Sequence, residues 1–117
     1  MSVISLPWPP KELSPNSRVH WAKRSKIAKG YRAACHLLCK TAGVTMPEGR
    51  ALLVLEFVPP DRRKRDDDNC LAAFKSGRDG LADALGIDDH RFVTQISISD
   101  ETTKGGAVRV QIRGVQA

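Results

Sequence analysis

In the stretch DRRKRDDDNC, residues 61–70, four consecutive basic side chains stand directly against three consecutive aspartates. Arg62, Arg63, Lys64 and Arg65 are the residue types that follow a phosphate backbone. Asp66, Asp67 and Asp68 repel one another unless a cation offsets their charge. One of the three has a local explanation: a segment of helical period follows, and Asp68 or Asn69 is a good N-cap. The cap does not account for the other two. A second acidic pair, Asp88 and Asp89, stands in GIDDHRF just after the same segment. Converging carboxylates with no cysteine or histidine at ligand spacing suit a hard divalent cation, and Mg²⁺ is the usual one where phosphates are the substrate. Such an ion activates a water and stabilises the charge that develops on a phosphoryl oxygen. The chemistry that unites the two blocks is phosphodiester hydrolysis, with the basic run on the backbone and the aspartates on the metal. From spacing alone, a charged surface turn with a helix cap remains the alternative.

The elements that must position these groups are legible from periodicity. Residues 2–6 read as a short strand stopped by the prolines of LPWPP. Further on, Ile27, Tyr31, Ala34, Leu38 and Ala42 recur at helical spacing, with Gly43 past the end and Lys23, Lys26, Lys29, Arg32 and Lys40 on another face. Residues 50–60 read as a strand buried on both faces and ended by Pro59-Pro60. Leu71, Phe74, Arg78, Leu81 and Leu85 then form the stripe of a second helix stopped by Gly86. Asp68, Ala72, Lys75, Asp79 and Asp83 line its adjacent polar face. Two alternating segments, FVTQISISD and AVRVQIRG, have a glycine-containing turn between them and read as a hairpin. The expected fold is one compact α/β (α+β) domain over residues 1–117, a mixed sheet with two main helices in the order β-α-β-α-β-β. A helix of about 17 residues is about 25 Å long. The two acidic groups therefore meet only if one comes from a neighbouring subunit, or if the helix breaks, for which Gly77 and Gly80 are the candidate positions.

Composition narrows the class of function. No apolar run approaches the roughly 20 residues of a membrane span, and the start of the chain lacks the pattern of a secretory signal. Three cysteines, an odd count, fit reduced thiols, so the expected location is cytoplasmic. The net charge of +6 is unevenly distributed: residues 1–65 hold 13 Lys/Arg against 4 Asp/Glu, and residues 66–117 hold 6 against 9. A basic N-terminal half suggests a polyanionic partner, nucleic acid above all.

DRRKRDDDN, a helix and then GIDDHRF, together with LPWPP, SPNSRVHW and TTKGG, resembles the RusA family of Holliday junction resolvases over most of the chain. The resemblance implies a Mg²⁺-dependent homodimer, with Mn²⁺ as a possible substitute ion, making paired nicks across four-way DNA. It implies a bacterial or phage origin, catalytic roles for Asp66, Asp68 and Asp89, and a metal set of Asp66, Asp68, Asp88 and Asp89; the expected DNA contacts, read from the residues themselves, are Arg62, Arg63, Lys64, Arg65, Asn69, Arg18, Lys23 and Lys26. At one point the chain departs from the pattern. The family's catalytic lysine sits one turn into the helix, where this chain has Ala72, and Lys75 is the expected substitute; an i, i+4 ion pair with Asp79 is its other reading. A non-catalytic branched-DNA binder and a basic protein-interaction module are the alternative functions.

Other chemistry-bearing residues have blander readings. Cys35, His36 and Cys39 lack a fourth zinc ligand and are expected to serve the core. His20 and Trp21 are either DNA-contacting or an anchor for the helix entry. His90 neighbours the acidic pair, and Lys104 sits in a turn.

Overall fold

The computed structural model describes residues 2–115. Six main elements follow one another: β1 (Ser2–Pro7), α1 (Trp21–Thr41), β2 (Ala51–Val58), α2 (Asp67–Leu85), β3 (Phe92–Ile98) and β4 (Ala107–Gly114). Short 3-10 turns lie at Lys11–Leu13 and Asp89–Arg91. This is the expected α+β class with the expected order of elements.

The sheet runs β1-β4-β2-β3. β3 joins β2 in parallel after the α2 crossover, and β4 lies antiparallel between β2 and β1. The expected hairpin of the last two strands is therefore not formed. Alternation marks both segments as strands without naming their neighbours. Burial explains the choice: Val108, Val110 and Ile112 of β4 are fully buried and take an interior slot, whereas β3 alternates buried or half-buried positions with the exposed Gln95 and Ser97 and takes an edge.

Burial on β2 corrects a second expectation. Ala51, Leu53, Leu55 and Phe57 are fully buried, but Leu52, Val54 and Glu56 between them are only partly so. Most of the strand buries one face, because both helices lie against the other strands' inward residues on that side. The core joins Leu6, Leu53, Leu55, Phe57, Val108 and Val110 of the sheet to Tyr31, Cys35 and Cys39 of α1 and Phe74 and Leu81 of α2.

The inward stripe of α1 is turned from the expected one: Tyr31, Cys35 and Cys39 are buried, while Leu38 is largely exposed. The helices explain this. A Cβ on Gly80 would collide with the Arg32 carbonyl oxygen, and one on Gly77 would lie 2.7 Å from the Tyr31 ring. Where backbones come this close, a thiol fits and a leucine does not. Gly77 and Gly80 thus serve close helix packing and do not break α2, which is continuous over 19 residues. Arg32 and Asp83 add a bidentate ion pair across the same interface, with contacts of 2.6 and 2.9 Å. No helix among the described residues is long and apolar enough to cross a membrane.

Candidate metal and nucleic-acid site

Three stretches distant in sequence meet at one end of the sheet. The register puts the end of β1 (Pro7), the end of β2 (Val58) and the start of β4 (Ala107) side by side. The loop from β2 to α2 leaves from this end and carries the basic and acidic blocks. Pro59 accepts a hydrogen bond from the Thr103 amide, and Gly106 presses so closely on Trp8 that a Cβ there would sit 2.9 Å from its side chain. Gly106 also has φ +72°, which L side chains rarely adopt. LPWPP, the charged loop and TTKGG thereby become one structural unit.

Within the loop the four basic residues divide into two pairs. Asp61 accepts from the Arg63 amide at 3.0 Å and pairs with the Arg63 and Arg65 guanidinium groups. The Arg63 amide foremost, then the Arg65 and Arg63 side chains, hold the Asp61 carboxyl down at about 2. Arg65 also donates to the carbonyls of Asp61 and Arg63, and its guanidinium lies 5.5 Å from the Trp8 ring centroid. Its side chain is only 14% exposed. Arg62 and Lys64, by contrast, are exposed and make no ion pair among the described residues. Of the expected phosphate-contacting run, Arg65 is committed to shaping the loop, Arg63 is tied to Asp61, and Arg62 and Lys64 are free.

The N-cap of α2 is Asp66 and not the expected Asp68 or Asn69, which lie inside the first turn and donate their amides to the Asp66 carboxylate at 2.8 and 3.4 Å. Asp67 also accepts from the Asp68 amide, at 2.9 Å. Carboxylate oxygens of Asp66, Asp67 and Asp68 come within 4.8 Å of one another, all three residues are exposed, and no described cation pairs with them. Asp67 belongs to this group although the resemblance assigns roles only to its neighbours Asp66 and Asp68. Its signal was simply a third consecutive acid. Three carboxylates offer the hard oxygen donors that a divalent cation such as Mg²⁺ takes.

Asp88 and Asp89 do not join them in one chain. They follow the far end of α2, and 19 residues of helix span about 28 Å. Each has a partner of its own. His90 Nδ1 lies 2.8 Å from Asp88, and this hydrogen bond, with the His90 amide, lowers the Asp88 pKa. Arg78 donates to the Asp89 carboxylate and carbonyl, both at 3.1 Å, and to Thr94 Oγ1 at 3.2 Å. The arginine on the otherwise apolar stripe of α2 was the visible sign of this second site.

The remaining expected residues are spread along the helices. Lys75 is exposed two turns beyond Asp68, about 10 Å along the axis, and makes no ion pair with Asp79 among the described residues. Arg18, Lys23 and Lys26 are exposed at and after the start of α1. His20 caps that helix by accepting from the Ala22 amide at 3.2 Å. Trp21 is 75% exposed, which overturns its reading as a hydrophobic anchor. Cys35, Cys39 and Cys70 are free, buried thiols, and burial pushes Cys35 up to about 11.

No family model matches this chain. A protein of Xylella fastidiosa (strain Temecula1 / ATCC 700964), itself uncharacterized, is 50% identical over 119 aligned residues, which cover 98% of this chain and 78% of the relative. The chain belongs to the same family as this bacterial protein.

Proposed function

We propose that the protein is a Mg²⁺-dependent endodeoxyribonuclease that acts on branched DNA, four-way junctions above all, as a homodimer. The observation that carries this reading is the group of exposed carboxylates of Asp66, Asp67 and Asp68, which have no cationic partner among the described residues, with Arg62 and Lys64, which make no ion pair among them, in the preceding braced loop. Bound there, the ion supplies Lewis-acid stabilisation and an activated water. The chain's own residues do the rest. Arg62 and Lys64 hold the DNA backbone, and Asn69 adds contacts next to them. Arg65 and Asp61 keep the loop in shape, and Lys75 leans back along α2 to meet charge on the phosphate in the transition state. Asp89, with Asp88 in support, reaches the acidic group from the second subunit. Arg18, Lys23 and Lys26 extend the basic surface along α1.

A four-way junction, a linear duplex and a flap, each end-labelled, are incubated with the protein with and without Mg²⁺. Paired nicks confined to the junction and dependent on the ion are expected, and intact junction at saturating protein and Mg²⁺ would overturn the reading. Ala72, where the family pattern has lysine, favours a second reading in which the protein binds branched DNA without cutting it.

A further inference from the structure

Beside the acidic group lies a cavity of about 410 Å³. Trp8 walls it with aromatic surface, backed by the fully buried Phe57, Asn16 and Asn69 supply amides, and Lys11 and Lys64 supply positive charge. The aromatic wall is held in place: Trp8 meets Phe57 edge-on, with centroids 6.1 Å apart, and is gripped by Arg65 and Gly106. The polar groups are idle. Neither amide side chain has a hydrogen-bond partner, and neither lysine has an ion pair, among the described residues. Asp66 lines the cavity as well, so an occupant sits next to the carboxylates.

These properties select among ligands. A bare phosphate would use the lysines and leave the aromatic wall and both amides without a role. The volume is at the small-molecule end of binding cavities and does not admit a stacked duplex. A single unstacked nucleotide uses everything present: an aromatic wall for the ring, amides for the base edge, and cations for the phosphates. We infer that this cavity receives one extrahelical nucleotide, beside the carboxylates of Asp66, Asp67 and Asp68.

The inference rests on the endonuclease reading for its role, and it supplies a physical source of structure selectivity. Extracting a base from a continuous duplex costs a few kcal/mol, and the cost is least where the base is already unpaired. A cavity that must be filled by an unstacked nucleotide therefore favours branch points over linear duplex before any base is read.

Binding is measured without divalent ion in the Trp21→Phe variant, which leaves Trp8 as the single tryptophan. Three probes are titrated: a single-stranded tetranucleotide, the same backbone with abasic sugars, and a short duplex. Saturable quenching of Trp8 by the tetranucleotide, about tenfold tighter than by the abasic strand, is expected. Ala73→Phe, which fills the cavity from α2, and Asn16→Ala, in the exposed loop, are each expected to remove most of that difference. Equal affinity for the abasic strand or the duplex overturns the inference, as does full discrimination in a folded Ala73→Phe protein. The endonuclease reading fails separately: base-dependent quenching together with uncut junction in Mg²⁺ would leave the nucleotide cavity standing without the nuclease. Junction cleavage with no base dependence at Trp8 would do the reverse.

Discussion

The two ends of α2 both carry clustered aspartates, and they treat them in opposite ways. At the C-terminal end each carboxylate has a cationic or protonatable partner from its own chain, Asp88 with His90 and Asp89 with Arg78. At the N-terminal end three carboxylates share a few ångströms with none, although two free basic residues lie in the preceding loop. Arg63 and Arg65, from the same loop, are instead turned onto Asp61. The difference teaches that charge density alone does not identify a site. On the reading proposed above, the carboxylate cluster left open is the one that would take an external cation.

The comparison is most severely tested by catalysis. Asp68→Asn is expected to lower junction cleavage by several orders of magnitude while keeping or tightening junction binding, because it removes a ligand and some repulsion with phosphate. Undiminished cleavage would end the metal assignment. Asp89→Asn is also expected to be inactive, and mixing the two inactive proteins so that subunits exchange should regain activity, since a hybrid dimer holds one composite site with both acids intact. No recovery would mean that the two ends of α2 do not cooperate across subunits. Next in size, Lys75→Ala is expected to slow single-turnover cleavage by about a hundredfold with junction affinity almost unchanged.

The split within the basic block gives smaller effects of two different kinds. Replacing Arg62 and Lys64 together with alanine is expected to weaken binding to all DNA and to flatten the salt dependence by about two units of slope. Arg65→Ala should instead lower thermal stability, because its contacts are internal. If the two variants behave alike in salt titrations, the loop is not divided as its hydrogen bonds indicate. A divalent ion at about ten times its Kd is expected to stabilise the folded protein by about 1.4 kcal/mol, read as a rise in Tm. Asp66, Asp67 and Asp68 changed together to asparagine should abolish that rise, whereas Asp88→Asn should leave it.

The smallest effect concerns pH. Asp61 titrates at about 2 in the folded protein against an ordinary value of 3.8. A depressed carboxylate contributes stability that is present above the ordinary value and is lost as pH falls through the folded one. The Asp61 clamp on Arg63 and Arg65 should therefore hold at pH 4 and open as pH falls toward 2, which carboxyl NMR of Asp61 would follow. Titration near 4 would show that the clamp does not form in solution.

Much of this arrangement was legible in the residues. The order of elements and the stop of α2 at Gly86 follow from local chemistry, which acts over a few residues, whereas the cap of α2 falls earlier than expected, on Asp66, because any of the consecutive aspartates could serve. What else was not legible depends on distant contacts. Alternation in residues 92–98 and 107–114 is equally consistent with pairing to each other or to β2, and only competition for buried slots decides it. The turn of α1 onto its thiols depends on two glycines nearly 50 residues away. The acidic loop was visible as a site, but the diversion of Arg65 was not, because its aromatic partner Trp8 lies in a separate stretch of the chain.

The contact between Gly80 and the Arg32 carbonyl has a mechanical consequence. With backbone against backbone, and the Arg32–Asp83 pair fastening the same crossing, α2 cannot slide along α1 without a steric collision. The aspartates at its N-terminus are thus mounted on a stiff beam that spans the domain. If the proposed DNA substrate binds here, accommodation to it would fall on the long side chains of Arg62 and Lys64 and on the loop that carries them. The aspartates would then be a fixed anvil and the loop a compliant grip, and the DNA would have to conform to the anvil.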